Sequence, residues 1–280
     1  MTVAARRAAV AKVRERAGMS ERRACHLIGA PRSSQRYRSR RPASQELRAR
    51  LRAHAEARPR WGYRRLHVLL DRDGVKVNHK RVYRLYREEG LAVRRRRRKR
   101  LAVTRQPMPA PQQVTERWSM DFMSDVLTSR RRYRILNLVD DLSREGLAGE
   151  VDFSLPARRV IQTLEEIGLE RGFPKSIVVD NGPEFRSRAL DEWAYGRGIV
   201  LDFIEPGKPM QNPFVESYNG RMRDECLNQH WFRELREARE TITAHREDYN
   251  EVRPHSALGN LTPREFAQGL QGRESGVAVA

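Results

Sequence analysis

The chain has 280 residues and a formal net charge of +20, but residues 1–115 hold 33 of its 56 Lys and Arg against 8 of its 36 Asp and Glu. That is a net of +25 on the front and −5 on residues 116–280, so the front is the part that attracts a polyanion, and a uniformly solubilising charge is excluded. Cys25 and Cys226 stand far apart without His or Cys companions, which excludes a disulfide framework and a zinc site, and no apolar run is long enough to span a bilayer or serve as a secretory signal. The expectation is a cytoplasmic chain with no membrane partner.

Residues 4–16 are good helix formers and Gly18 stops them. Ser20 reads as the N-cap of a helix over 21–28, Gly29 breaks the chain, and a short basic helix follows beyond Pro31. Helix, turn and basic helix across residues 1–41 is the order of a helix-turn-helix, with Arg32, Arg36, Arg38, Arg40 and Arg41 crowding its second half. A basic hairpin that only packs on its neighbours fits the same pattern.

Residues 45–92 give a second helical segment: a helix over 45–57, another opening at Trp61, a turn at Asp73 and Gly74, and a third helix capped by Asn78 and ended by Gly90. Val82, Leu85 and Tyr86 mark one face of the third helix, which leaves Lys80, Arg81, Arg84 and Arg87 available to phosphates. Residues 93–115 then read as a linker. Arg94, Arg95, Arg96, Arg97 and Arg98 open a run of seven bases that ends at Arg100, and prolines follow. Like charges repel and prolines disfavour helix, so this stretch is expected to be extended and to track a DNA backbone.

From Trp118 the pattern changes. An alternating apolar run carrying Asp121 reads as a strand, followed by a turn at Ser129 and Arg130, strands over 131–140 and 147–153, and a helix over 156–171. A strand at 177–179, a helix over 187–195, a strand at 199–204 and a helix from Pro213 complete the series. Asp121 therefore sits on a strand, Asp180 at the end of another and Glu216 at the start of a helix, with 58 and 35 residues between them. An isolated Asp at a strand end is most often a turn residue. Three carboxylates on rigid elements, however, offer the oxygen ligands that Mg²⁺ takes. Two such ions about 4 Å apart suit phosphodiester displacement. Asp140 and Asp141 read as strand-end residues that bond a turn, and residues 262–265 (TPRE) as a capping box.

The runs WSMDF (118–122), VVDNGPEF (178–185), GKPMQN (207–212), ESYNGRMR (216–223) and YNEVRPHSAL (249–258) resemble the DDE core of bacterial insertion-sequence transposases. More narrowly, the chain resembles the OrfB subunit of the insertion-sequence-three family, relatives of retroviral integrases. The resemblance implies an α/β ribonuclease-H-like core (116–270), a mixed five-stranded sheet with helices, preceded by all-α helix-turn-helix modules and followed by a tail over 271–280. It implies Asp121, Asp180 and Glu216 as catalytic metal ligands, two Mg²⁺ ions with Mn²⁺ as substitute, and cleavage and strand transfer on double-stranded DNA at terminal inverted repeats and target sites. It also implies an OrfA partner or OrfAB fusion and a homo-oligomer on DNA.

By the same resemblance Asn181, Lys208, Gln211, Asn212 and Asn219 line the site in contact with DNA or behind the acids, and Glu184 and His255 stand outside the triad. Arg223 lies seven residues after Glu216, on one helical face with it, and by resemblance grips a phosphate. Taken alone, it reads equally as a surface arginine paired with Asp224 or Glu225. One departure is Pro213, where the family usually carries a small residue; proline fits the first turn of a helix. Two other readings remain: a non-enzymatic DNA-binding regulator, against which the intact triad speaks, and a cellular nuclease, which would need no helical front.

Overall fold

In a computed structural model the described residues are 1–37, 44–93, 111–205 and 211–277. Arg38, Arg40, Arg41, Arg94–Arg98 and Lys208, all singled out above, lie outside them. The chain forms two compact units, Met1–Leu47 and Arg48–Ala280.

The first unit contains α1 (Val3–Ala17), α2 (Glu21–Ile28) and α3 (Arg32–Arg36). Thr2 and Ser20 cap α1 and α2 through their hydroxyls, and Gly18 and Gly29 end them in the left-handed conformation. Val10, Ala24 and Cys25 make a small core. Arg7 crosses to the carbonyls of Ser34, Gln35 and Tyr37, while Glu21 takes Arg36 at 2.7 Å, so part of the basic charge closes the unit on itself.

α4 (Gln45–Ala57) starts just before the boundary and runs into the second unit, where α5 (Tyr63–Arg72) and α6 (His79–Glu88) follow. Leu51, Leu66, Leu69, Leu70, Val82, Leu85 and Tyr86 are buried among them, and Asn78 caps α6 on the Lys80 N–H. The sheet follows: β1 (Arg117–Val126), β2 (Arg132–Asp140), β3 (Gly146–Asp152), β4 (Ser176–Val179) and β5 (Val200–Phe203), in the order β3-β2-β1-β4-β5. The β1–β2–β3 meander is antiparallel, and β4 and β5 add to β1 in parallel. This is a mixed five-stranded sheet, as the family resemblance implies.

Side chains alternate across a strand, and the two faces take different helices. Trp118, Met120, Leu136, Leu138, Ile177 and Val179 pack with α7 (Ala157–Arg171) and α8 (Arg188–Arg197). Tyr133, Ile135, Val139 and Val151 pack with α9 (Pro213–Glu225) and α10 (Leu235–Glu251). Asp121 is odd-numbered like the second set, so it faces α9. α9 starts at Pro213, where the missing N–H costs nothing. It comes close to the sheet because Gly146 has no side chain: a Cβ there would stand 2.7 Å from the Tyr218 hydroxyl.

α11 (Pro263–Val277) begins with the reciprocal capping box of Thr262 and Glu265 and runs on through residues expected to be a tail. Asp140 and Asp141 close the β2–β3 turn: Asp140 accepts from Leu142 N–H, Ser143 N–H and the Ser143 hydroxyl, and Asp141 from the Ser119 hydroxyl and Arg117. Asp141 is wholly buried, and burial pushes its carboxyl up to about 6 against the pull of Ser119 and Arg117. The folded chain therefore binds this proton at a pH where the unfolded chain has released it. The stability tied to Asp141 is present below about pH 4 and is lost as pH rises through about 6. In urea unfolding followed from pH 7.5 to 4.5, wild type is expected to gain stability relative to Asp141→Asn on acidification. A difference independent of pH would contradict it.

Candidate active site

The acids reach one place by three routes. β1 pairs with β4 through Arg117, Trp118 and Ser119, and β4 ends at Val179, so Asp121 and Asp180 both lie at the carboxyl end of the parallel strands. Glu216 belongs to the first turn of α9, which crosses over β1 and β2. Asp121 Oδ1 accepts the Phe122 N–H at 2.8 Å and Oδ2 the Asn219 amide at 2.7 Å; Asp180 Oδ1 accepts the Gly182 N–H at 2.9 Å. Glu216 is exposed.

Burial pushes the Asp121 carboxyl up to about 6, and the charges of Asp180 and Glu216 add to the rise. Glu216, though exposed overall, is raised as well by the partial desolvation of its carboxyl. Two acids therefore act on a third that solvent cannot fully screen, a conflict that a nearby cation relieves. The donors are all carboxylate oxygen, which fits a hard divalent cation. Among the described residues no three His, Cys, Asp or Glu side chains are gathered closely enough to enclose an ion; the donor set fits by chemistry and is open in geometry.

The residues expected around the acids divide into two kinds. Asn212 and Asn219 are buried: Asn212 donates to the Met120 carbonyl at 3.2 Å, and Asn219 joins Asp121 to Asn137, whose amide donates to Asn219 Oδ1 at 2.7 Å. Their bonds run inward because their face of α9 packs on the sheet. Asn181 donates to the Ile204 carbonyl at 2.6 Å, and Gln211 exchanges two bonds with Glu205 across the segment that contains Lys208.

Arg223 pairs with neither acid suggested by the sequence. It donates to Asp125 and to the Ser124 carbonyl, each at 2.7 Å, four and three residues beyond Asp121 on β1. Asp224 is taken by Arg60, and Glu225 by Arg253, Trp61 and Arg65. Glu184 is paired with Arg134, and His255 is half-buried, bonded to the Arg253 carbonyl and pushed down to about 3 by burial, which leaves it neutral and a weak base. Lys80, Arg81 and Arg84 are exposed on α6, with Arg84 3.6 Å from Glu88. Sequence reasoning missed Asn137 and Asp125. Asn137 carries a signal: it is the one polar side chain in the apolar run ILNLV of β2.

Residues 111–209 and 197–263 match Integrase core domain families, and residues 43–99 match an HTH-like domain. A protein of insertion element IS407 from Burkholderia multivorans is 49% identical over 91% of this chain and 93% of its own length. One of IS476 from Xanthomonas euvesicatoria is 44% identical over 98% of this chain and 80% of its own. The chain belongs to the insertion-sequence-three transposase family. A putative transposase of IS150 from Escherichia coli is 28% identical over 75% of the transposase chain and 78% of its own. The simian T-cell lymphotropic virus intasome shares the fold, at a TM-score of 0.51 and 14% identity, over 78% of this chain and 74% of that one. No helix of the described residues is long and apolar enough to cross a membrane.

The Asn219 bonds make a testable claim about the transposase. Asn219→Ala removes the donor to Asp121 and leaves the buried Asn137 amide only the weak Met222 sulfur acceptor at 3.7 Å, a loss of about 1–3 kcal/mol for a poorly satisfied buried group. Urea unfolding is expected to show that loss, with cleavage reduced further than DNA binding. Unchanged stability would mean that Asn137 finds another acceptor.

Proposed function

We propose that the chain cuts the ends of its insertion element and joins them to target DNA, with Asp121, Asp180 and Glu216 holding two Mg²⁺ ions for which Mn²⁺ substitutes. The observation that carries this reading is the raised Asp121 carboxyl beside Asp180 and Glu216 at the carboxyl edge of the sheet. Such ions supply activation of the attacking oxygen and stabilisation of the leaving oxygen. The protein's part is orientation: the Phe122 N–H and Asn219 fix Asp121, the Gly182 N–H fixes Asp180, and α9 carries Glu216 over β1. Asn212 acts on the same geometry through the Met120 carbonyl.

In this reading double-stranded DNA meets Lys80, Arg81 and Arg84 on α6, the run Arg94–Arg98, and Asn181, Lys208 and Gln211 near the acids. Arg223 would exchange Asp125 for a phosphate beside the cut bond. Terminal inverted repeats, an OrfA partner or OrfAB fusion, a homo-oligomer on DNA, and the segment limits 1–41, 45–92, 93–115, 116–270 and 271–280 belong to the same proposal. The alternative, a regulator without catalysis, is separated from it by one experiment. Asp121→Asn, Asp180→Asn and Glu216→Gln are each expected to abolish Mg²⁺-dependent cleavage and strand transfer of end-labelled DNA, with binding of that DNA retained. Near-normal turnover in any one of them would remove that residue from the triad.

The charge division gives a second test. Each phosphate neutralised adds about −0.9 to the slope of log affinity against log salt. Replacing Arg94–Arg98 by Ala in the full chain is expected to weaken DNA of any sequence and to flatten that slope. A slope equal to wild type would show that the run does not touch DNA.

A further inference from the structure

Beyond the acids, β1 continues from Phe122 to Val126 and turns back into β2, so the β1–β2 turn projects past the catalytic edge by about 3.3 Å per residue. Arg130, with φ 64°, lies in this turn, and Arg131 and Arg132 follow it, all three exposed. The segment after α9 is fastened to the turn. Phe232 accepts from the Thr128 N–H at 2.8 Å through its carbonyl, while its buried ring meets Tyr133 edge-on at 6.4 Å. His230 stacks on Phe232 and bonds the Cys226 carbonyl at 2.9 Å.

Trp231 stands between these two anchored rings and is 86% exposed. Arg233 is exposed beside it, as is Val126. Arg131 lies 3.4 Å over the Phe153 ring, and among the described residues Arg130, Arg131, Arg132 and Arg233 have no ion-pair partner. A rigidly mounted, solvated indole among four unneutralised guanidinium groups is costly as fold and useful as a platform: bases stack on aromatic faces while arginines hold phosphates.

We propose that this surface binds DNA, with Trp231 stacking on an unpaired base and Arg130, Arg132 and Arg233 on the flanking phosphates. The region from residue 116 onward carries a net charge of −5, so three bases on this turn, with Arg233 on the segment fastened to it beside Glu234 and Glu237, are a local reversal of its sign. Charge thereby favours a polyanion over a second copy of the chain. The inference deepens the proposed DNA cleavage by naming where a melted strand would lie, roughly 20 Å along β1 from Asp121. It is independent of the identity of the metal ligands.

The test uses the full chain without divalent cations, so that binding is read and cleavage cannot intervene. The probes are a blunt duplex of arbitrary sequence and the same duplex with a short unpaired extension. Of the four tryptophans, Trp61 and Trp118 are buried and Trp193 is half-buried, so acrylamide quenching reports mainly on Trp231. The extended DNA is expected to shield Trp231. Trp231→Ala is expected to weaken the extended DNA about ten-fold, Trp231→Phe to restore most of that loss, and blunt-duplex affinity to stay within about two-fold. Arg130→Glu with Arg132→Glu should weaken the extended DNA as well. Three results would overturn the proposal: unchanged quenching at saturating DNA, equal losses for both DNAs, or shielding that grows with protein concentration alone. The last would give the face to a second copy of the chain. Loss of cleavage in the acid variants with these results intact would leave the surface standing, and the reverse outcome would leave the triad standing.

Discussion

The bond chain from Asp121 through Asn219 to Asn137 holds the site together. It joins the central strand, the helix that carries Glu216 and the neighbouring strand, all below the surface. Asn219 is suited to the task because one amide both donates to the carboxylate and accepts from Asn137; an acid or a hydroxyl in its place would not present both functions in that spacing. The rest of the α9 contact follows from it. Tyr218 fits against Gly146, Asn250 completes both backbone groups of that glycine, and Asn212 reaches the Met120 carbonyl.

Two acids are raised to about the same value for different ends. Asp141 is raised by burial and by Asp140 while Ser119 and Arg117 pull it down, and its bonds tie the β2–β3 turn to β1. Asp121 is raised by burial and by two more acids while the Phe122 N–H and Asn219 pull it down. A shifted carboxylate alone therefore does not mark a site in this fold; what separates the two is the arginine bonded to Asp141, where the bonded partners of Asp121 are neutral. Acids around an acid are an electrostatic debt that folding leaves open, whereas an arginine beside an acid is a bond that folding has completed.

Much of the fold was legible because its signals are local. Ser20, Asn78 and Ser187 cap the helices expected of them, alternation marked the strands, and the parity of β1 aims Asp121 at α9. The positions of the three acids could be read in the same way, from a strand, a strand end and a helix start. What escaped depends on partners remote in sequence. Arg223 and Asp125 are 98 positions apart, and Trp61 and Glu225 are 164 apart, so no window along the chain contains either pair. The exposure of Trp231 escaped as well, because exposure is decided by which neighbours the fold supplies. The helix running on to Val277 was missed for a different reason: its last turns hold glycine and small residues that read as a tail.

The acids at the far end of α9 give the helical segment ahead of the sheet a fixed address. Arg58 meets Asp248, Arg60 meets Asp224, Trp61 and Arg65 meet Glu225, and Arg72 meets Glu265 at 2.7 Å. Glu225 is almost fully enclosed, and although burial pushes its carboxyl up, Arg253, Arg65 and Trp61 together more than offset this and hold it below its ordinary range. Part of the basic charge at the front is thus neutralised inside the molecule before any nucleic acid arrives. The same acids form a plug-and-socket code between reader and cutter. A chimaera that borrows the α4–α6 segment from a relative inherits the plugs alone, and it stays whole only when Asp224, Glu225, Asp248 and Glu265 travel with them.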